Sequence, residues 1–78
     1  MRINNGEING VLTPYFYLNL DAVAVFIPTY DFPEAKTQTV ELRLSNGDQV
    51  KFEANQKKVS GLNFNLRALV ALEQHFNK

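Results

Sequence analysis

The sequence predicts an α+β fold: a small, mostly antiparallel β-meander of three to five strands with one C-terminal helix packed on one face. The first observation is the alternation of apolar and polar residues on both sides of Ser45-Asn46-Gly47, which is typical of two strands with one buried face. The second is a broad apolar stripe at helical spacing over residues 62–76. The third is size, because a chain of 78 residues supports one thin core.

Composition excludes several classes of function. The chain has no cysteine, which excludes disulfides and thiolate chemistry. Eight basic and eight acidic residues give a net charge of zero, whereas proteins held mainly by phosphate contacts carry a basic excess. No apolar run reaches the length of a signal peptide or a membrane-spanning helix. We therefore expect a single domain over residues 1–78, a cytoplasmic location and no membrane partner.

The N-terminal segment, residues 1–13, is expected to be an irregular arm. Asn5-Gly6 and Asn9-Gly10 are both strong turn dipeptides, and only two residues separate them. Two residues are too few for a stable strand pair, so at most a short edge strand at residues 10–13 is expected.

The predicted meander spans residues 15–54 and begins with a strand at residues 15–20. The alternation of this strand places Tyr15 and Tyr17 on the face opposite to the core leucines. A second strand, residues 22–27, is apolar on both faces and therefore belongs at the centre of a sheet or at an interface. One face comprises Val23, Val25 and Ile27, and the other comprises Ala22, Ala24 and Phe26.

The length of the loop sets the register of the hairpin at residues 38–54. The predicted loop is the one that keeps the apolar residues of both strands on the same face of the sheet. A two-residue Asn46-Gly47 loop mixes the faces, whereas a three-residue loop that ends in a left-handed Gly47 keeps them together. The predicted opposite pairs are Leu42 with Val50, Val40 with Phe52, and Glu41 with Lys51.

The last predicted element is a helix over residues 62–77. Asn65 is the favoured N-cap, because Phe64 would then pack against Leu69, and this cap starts the helix at about Leu66. Leu66 and Leu69 are expected to be buried against the sheet. The full apolar stripe comprises Leu62, Leu66, Leu69, Val70, Leu72 and Phe76.

Two features favour a protein-binding role. The loop at residues 28–36 is bracketed by prolines and carries two aromatic rings, which must either fold over the core or anchor a partner. A second line of low polarity, which includes Ala68 and Ala71, runs along the helix on the side away from the main stripe. Its small residues either permit another element to approach the helix closely or simply favour helix formation. The predicted partner-binding residues are Tyr30, Asp31, Phe32, Ala68 and Ala71, and the partner is another protein or a second copy of the chain.

An enzyme that acts alone is not predicted, and neither is a cofactor or a metal site. His75 is the only histidine and lies near the end of the helix, where an imidazolium is favourable for ordinary electrostatic reasons. The carboxylates show no paired spacing, and the isolated glycines form no phosphate-binding loop. A subunit of an enzyme whose active site is completed elsewhere stays open as a third possibility.

The alternative function is a nucleic-acid-binding domain that uses the open face of the sheet. Two tyrosines could stack on bases and four cations could contact the backbone phosphates. The candidate residues are Tyr15, Tyr17, Arg43, Lys51, Lys57 and Lys58. Glu41 and Glu53 lie among these cations, which weakens the positive field.

One resemblance concerns the order of the strands. Residues 18–23, which contain Asn19-Leu20-Asp21, and the following Asn-Gly hairpin resemble small bacterial proteins of a flagellar-operon type that read strand, Asn-x-Asp, strand and hairpin. No function is carried over from this resemblance. The small, cysteine-free chain also suits a phage- or mobile-element-encoded modulator of a host protein.

Overall fold

The fold is that of a computed structural model, which describes residues 1–29, 37–55 and 65–77. The elements are β1 (Arg2–Ile8), β2 (Val11–Tyr17), β3 (Val23–Thr29), β4 (Thr37–Leu44), β5 (Gln49–Asn55) and α1 (Leu66–Phe76), with a 3₁₀ turn at Leu20–Ala22. The strands form one antiparallel sheet in the order β2-β1-β5-β4-β3. The predicted α+β class, an antiparallel sheet with a C-terminal helix, is confirmed.

The N-terminal segment is a β-hairpin, so the predicted irregular arm at residues 1–13 is wrong. β1 and β2 pair along their length around Asn9-Gly10. The φ angles of Asn9 and Gly10 are 51° and 81°, and two positive values are what a tight two-residue hairpin turn requires. Asn5-Gly6 is not a turn, because it lies inside β1. An asparagine-glycine pair therefore indicates a local left-handed backbone here, and only one of the two pairs reverses the chain.

Asn5 has a φ of 55° and changes the side-chain alternation of β1. Ile3 and Ile8 both pack on the core, although regular alternation over five residues would put them on opposite faces. Gly6 is buried beside the ring of Phe16, and a Cβ at this position would lie 2.9 Å from two ring carbons. Any larger residue at position 6 would therefore have to displace the Phe16 ring, which occupies the space that a side chain would need.

The strand predicted at residues 15–20 is displaced toward the N-terminus. β2 ends at Tyr17 and includes Pro14, which is tolerated because β2 lies at the edge of the sheet. Tyr15 and Tyr17 are exposed while Phe16 packs on the core, as the alternation predicted.

The connection between β2 and β3 joins the two opposite edges of the sheet. Tyr17 pairs with the first residue of β1, whereas Val23 pairs with the last residue of β4. The six Cα–Cα steps from Tyr17 to Val23 span at most about 22 Å. In a flat sheet the two residues would be about 19 Å apart across the strands and about 26 Å apart along them, since Ile8 is level with Leu42, Arg2 lies six residues before Ile8, and Leu44 lies two residues beyond Leu42. The sheet is therefore twisted and curved, and Leu18 and Leu20 of the connection pack against the core.

β3 is an edge strand, so of the two predicted positions for the apolar strand at residues 22–27, the centre of a sheet or an interface, the centre is wrong. A register shift between Val23 and Val25 also breaks the predicted faces. Val23 is buried, but Val25 and Ile27 point to the outer face opposite Arg43 and Glu41 of β4. Alternation alone could not show this, because a bulge moves every later side chain to the other face.

The β4–β5 hairpin has the predicted register. Leu42 faces Val50, Val40 faces Phe52 and Glu41 faces Lys51. The backbone N–H of Leu44 donates to Asp48 O at 2.9 Å, so the loop is Ser45-Asn46-Gly47 as predicted. Val40, Leu42, Val50, Phe52 and Ala54 are buried in the core, and Leu44 packs against it.

Replacing Gly47 with alanine is expected to lower the free energy of unfolding by about 1 kcal/mol. Gly47 has a φ of 94°, and no atom lies within 4 Å of the position that a Cβ would take. The cost is therefore backbone strain without a steric clash. Urea unfolding measures it, and Gly10→Ala, at a φ of 81° in equally open space, is the matched variant. An unchanged midpoint for Gly47→Ala would contradict the left-handed assignment.

Helix α1 packs on the sheet through Ala68, Leu69 and Leu72, which are all buried. The prediction is confirmed for Leu69, whereas Leu66 is only half-buried and Val70 is exposed. Ala68, predicted on the outer line of low polarity, is 1% exposed and belongs to the core. The buried face is thus rotated from the predicted stripe, because a small side chain permits close approach of the helix to the sheet. The predicted helical residues 62–64 lie outside the described residues.

Asn65 connects the start of α1 to the sheet through its side-chain amide. Oδ1 accepts a hydrogen bond from Asn4 N at 2.8 Å, while Nδ2 donates to Asn4 O at 2.9 Å and to Glu53 O at 2.8 Å. The paired residues of β1 and β5 are only Glu7 with Lys51 and Ile8 with Val50. Beyond these pairs the amide of Asn65 bridges the two strands in the manner of a peptide group. Asn65 is the N-cap residue of α1 as predicted, and its carbonyl accepts a hydrogen bond from Leu69 N, but its side chain makes no cap hydrogen bond because the amide bonds to the sheet.

Candidate partner-binding surfaces

The predicted partner-binding residues do not form one surface in the described part of the chain. Tyr30, Asp31 and Phe32 lie outside the described residues. Ala68 is buried beneath α1 and has no surface to offer a partner. Ala71 is half-buried and lines a groove beside the helix. Among the described residues, exposed apolar and aromatic side chains lie instead on the two edge strands, β2 and β3.

The free edge of β3 presents backbone hydrogen-bonding groups. The backbone N–H of Leu44 donates to the carbonyl oxygen of Asp48, the residue before β5. The alternate residues of β4, Arg43 and Glu41, therefore direct their backbone groups toward β3. Their partners Val25 and Ile27 use their own groups in these pairs. The N–H and C=O of Phe26, between them, consequently point away from β4. No other strand of the described residues pairs with this side of β3.

The residues of β3 are uncharged and partly apolar at the surface. Its sequence, VAVFIPT, contains no charged residue. Val25 is 41% exposed and Ile27 is 38% exposed. Edge strands are usually protected by charges, by proline or by a covering element. Pro28 supplies such protection only near the end of β3, and within residues 1–29, 37–55 and 65–77 no strand pairs with the remainder of the edge.

The other edge, β2, differs in two respects. Pro14 in the middle of this strand removes a backbone donor. Tyr15 and Tyr17 interact with each other, with hydroxyl oxygens 2.8 Å apart and ring centroids 5.5 Å apart. The guanidinium carbon of Arg2 lies 5.7 Å from the centroid of the Tyr15 ring. β2 is therefore interrupted as a pairing edge but carries an aromatic and cationic cluster.

The two tyrosine hydroxyls titrate differently. The hydrogen bond with Tyr17 lowers the pKa of Tyr15, and a hydrogen bond with Arg2 acts in the same direction. The same hydroxyl pair raises the pKa of Tyr17. When Tyr15 ionises, its phenolate can accept a hydrogen bond from the neighbouring Tyr17 hydroxyl, which favours the charged form of Tyr15.

Replacing Tyr17 with phenylalanine is expected to raise the pKa of Tyr15, because the donor that stabilises its phenolate is removed. Tyrosinate absorbance during an alkaline titration measures this shift. Since the chain has three tyrosines, the titration uses a Tyr30→Phe background. A Tyr15 pKa that does not change in the Tyr17→Phe variant would contradict the hydrogen bond.

A groove of about 730 Å³ lies between the first turns of α1 and the β1–β2 hairpin. Arg2 and Arg67 line it together with Tyr17, while Leu66 and Ala71 contribute apolar surface. No aspartate or glutamate is among its lining residues in the described part of the chain. Sequence reasoning missed Arg2 and Arg67, because nothing in a linear sequence indicates that residue 2 meets the start of a C-terminal helix.

The cations predicted for nucleic-acid binding are not brought together with the tyrosines. Arg43 lies on β4 and Lys51 on β5, separated by β1 from the edge strand that carries Tyr15 and Tyr17. Lys51 faces Glu41 on one side and Glu7 on the other. The cavity at this place holds only about 200 Å³. Lys57 and Lys58 lie outside the described residues.

Comparisons with known proteins find no matching family, no matching curated protein and no matching solved structure. Among the described residues, no three histidine, cysteine, aspartate or glutamate side chains are grouped as metal ligands. None of the helical segments within residues 1–29, 37–55 and 65–77 has the length and apolarity needed to cross a membrane.

Proposed function

We propose that this protein is a small, cytoplasmic, non-enzymatic module that binds a protein chain by adding a strand to the free edge of β3. In this mode an extended segment pairs with exposed backbone groups, and shallow apolar contacts on the sheet face contribute selectivity. The bound chain is either another protein or a second copy of this one.

The observation that carries the proposal is an uncharged edge strand with exposed β-branched side chains. Val25 and Ile27 lie on the outer face, and the backbone groups of Phe26 point outward beside them. Unpaired strand edges of this kind serve as templates for pairing with another chain. Uncovered apolar side chains next to such an edge mark association sites.

The test blocks the β3 edge with a charge and leaves the other edge as a control. Ile27→Lys places an ammonium opposite Glu41 of the same chain, so the fold can accommodate the change. Val11→Lys introduces the same charge at an exposed position of β2. Tagged wild-type protein and both variants are incubated with host extract that also contains the untagged chain, and the retained chains are identified by mass spectrometry.

The wild type and Val11→Lys are expected to retain the same chain, while Ile27→Lys is expected to lose it. Circular dichroism and thermal unfolding of the three proteins verify that each is folded. Equal retention by all three proteins, or no specific retention by any, would remove the proposed role of β3.

A second candidate function, nucleic-acid binding, is favoured by the groove beside α1. Arg2 and Arg67 line this groove with Tyr17, and Tyr15 lies next to Arg2. Aromatic rings and guanidinium groups in one groove suit the bases and phosphates of a single strand. The sheet face predicted from the sequence, with Arg43 and Lys51, suits it less because of the neighbouring glutamates.

Titration with a random-sequence oligonucleotide at increasing salt tests this second candidate. Binding by the groove predicts an affinity that falls with salt and with Arg67→Gln, while Arg43→Gln has little effect. Absence of binding at low salt would exclude the candidate.

A further inference from the structure

We propose that the chain paired with β3 is β3 of a second copy, in antiparallel orientation and centred on Phe26, so that the two sheets become continuous. This inference rests on the proposed function, since it names the occupant of the same edge. It makes the assembly a two-fold symmetric dimer in which each copy contributes an identical strand.

The backbone of β3 favours a centre at Phe26. The regular part of the strand is Val25–Thr29, because the register shift lies before Val25. Within this part Phe26 has both an outward N–H and an outward C=O, whereas Pro28, the next outward position, has no N–H. A two-fold axis at Phe26 lets the two copies exchange two N–H···O=C hydrogen bonds. An axis at Ile27 would place Phe26 of each copy opposite Pro28 of the other. Because proline has no N–H, the outward C=O of Phe26 would then have no donor.

The side chains of the outer face complement themselves in this register. Val25 of one copy lies opposite Ile27 of the other, and the symmetry repeats the pair. Both residues are exposed in the single chain, and cross-strand pairing of β-branched side chains is favourable. Because β3 carries no charge, no like charges meet across the axis.

The charged residues of β4 do not repel one another across the two copies, because the residues that share a row are of opposite sign, about 14 Å apart. Within one chain Val25 is next to Arg43, and Ile27 is next to Glu41. Each row across the dimer therefore runs from the arginine of one copy, through the apolar pair, to the glutamate of the other. The edge is thus complementary to itself in side chains and in charge. We therefore prefer a second copy to an unrelated chain as the occupant of this edge.

A charge-pair experiment tests both the dimer and its register. Val25→Glu places a carboxylate beside Arg43 of the same chain, and Ile27→Lys places an ammonium beside Glu41. In a homodimer each variant has its new charge opposite an apolar residue. In a mixed dimer, the carboxylate introduced by Val25→Glu in one chain lies opposite the ammonium introduced by Ile27→Lys in the other, while the second pair keeps its wild-type residues.

Sedimentation velocity over a concentration series provides the measurement. The wild type is expected to dimerise, and each variant alone is expected to dissociate about tenfold more readily, since both symmetric apolar cross-strand pairs are replaced by a charge opposite an apolar residue. An equimolar mixture of the two variants should recover dimers with an affinity close to that of the wild type. Val11→Lys, on the other edge, should dimerise as the wild type does.

Two results would overturn the inference: a wild-type chain that stays monomeric at every concentration, or a mixture of variants that recovers no dimer. Its failure differs from failure of the proposed function. A monomeric wild type that retains another protein in a manner sensitive to Ile27→Lys would leave strand addition at β3 intact. A monomeric wild type that retains no chain would remove both.

Discussion

Asn65→Asp is expected to lower the free energy of unfolding by about 2–5 kcal/mol. The aspartate has the same shape, but it replaces the Nδ2 donor with an oxygen that faces the carbonyl oxygens of Asn4 and Glu53, at 2.9 and 2.8 Å. Two partly buried acceptors lose their donor, and a negative charge enters at a residue that is 7% exposed. Urea unfolding at neutral pH measures the loss.

Two further substitutions separate the side chain of Asn65 from its backbone. Asn65 has a φ of 60°, which glycine adopts freely and alanine does not. Asn65→Gly therefore removes only the three hydrogen bonds, whereas Asn65→Ala adds about 1 kcal/mol of backbone strain. We expect glycine to be the milder of the two. An Asn65→Asp variant that unfolds at the same urea concentration as the wild type would show that the amide does not join β1 to β5.

Leu69→Ala is expected to cost about 2–5 kcal/mol, because it empties a fully packed site under the helix. Leu69 is 2% exposed, next to Ala68 and Leu72 in the core. The loss is a large part of the stability of a domain this small, so the variant is expected to melt at a much lower temperature. Thermal unfolding followed by circular dichroism measures it.

Leu66→Ala is the matched control for Leu69→Ala. It makes the same chemical change in the same helix, but Leu66 is half-buried beside the groove. A loss of about 1 kcal/mol or less is therefore expected. Equal falls in Tm for the two variants would show that the buried face of α1 is not the one described.

The candidate site was only partly accessible to sequence reasoning. The apolar character of Val25 and Ile27 is visible in the sequence, and an interface was one of its two interpretations. Whether this strand lies in the middle or at the edge of a sheet depends on its neighbours, which come from β4 alone. The bulge before Val25 has no marker in the sequence, yet it decides which residues are exposed.

The N-terminal hairpin shows where local signals are ambiguous. Asn5-Gly6 and Asn9-Gly10 are the same dipeptide, and both asparagines adopt a left-handed backbone. Only the second pair reverses the chain. At the first pair β1 continues, because the residues on both sides of Asn5 pair with β2. Propensity alone cannot distinguish the two outcomes, since the tertiary partners determine which one is stable.

The sequence by itself determined the β4–β5 hairpin and the presence of the helix. Both depend on interactions between residues close in the chain: a turn with Gly47 at its left-handed position, and an apolar period in residues 66–76. Tertiary structure alone decided that β3 is an edge and that Asn65 bonds to Asn4, sixty-one residues away. Such contacts arise only when distant strands meet, and their energies are absent from any local pattern of residues.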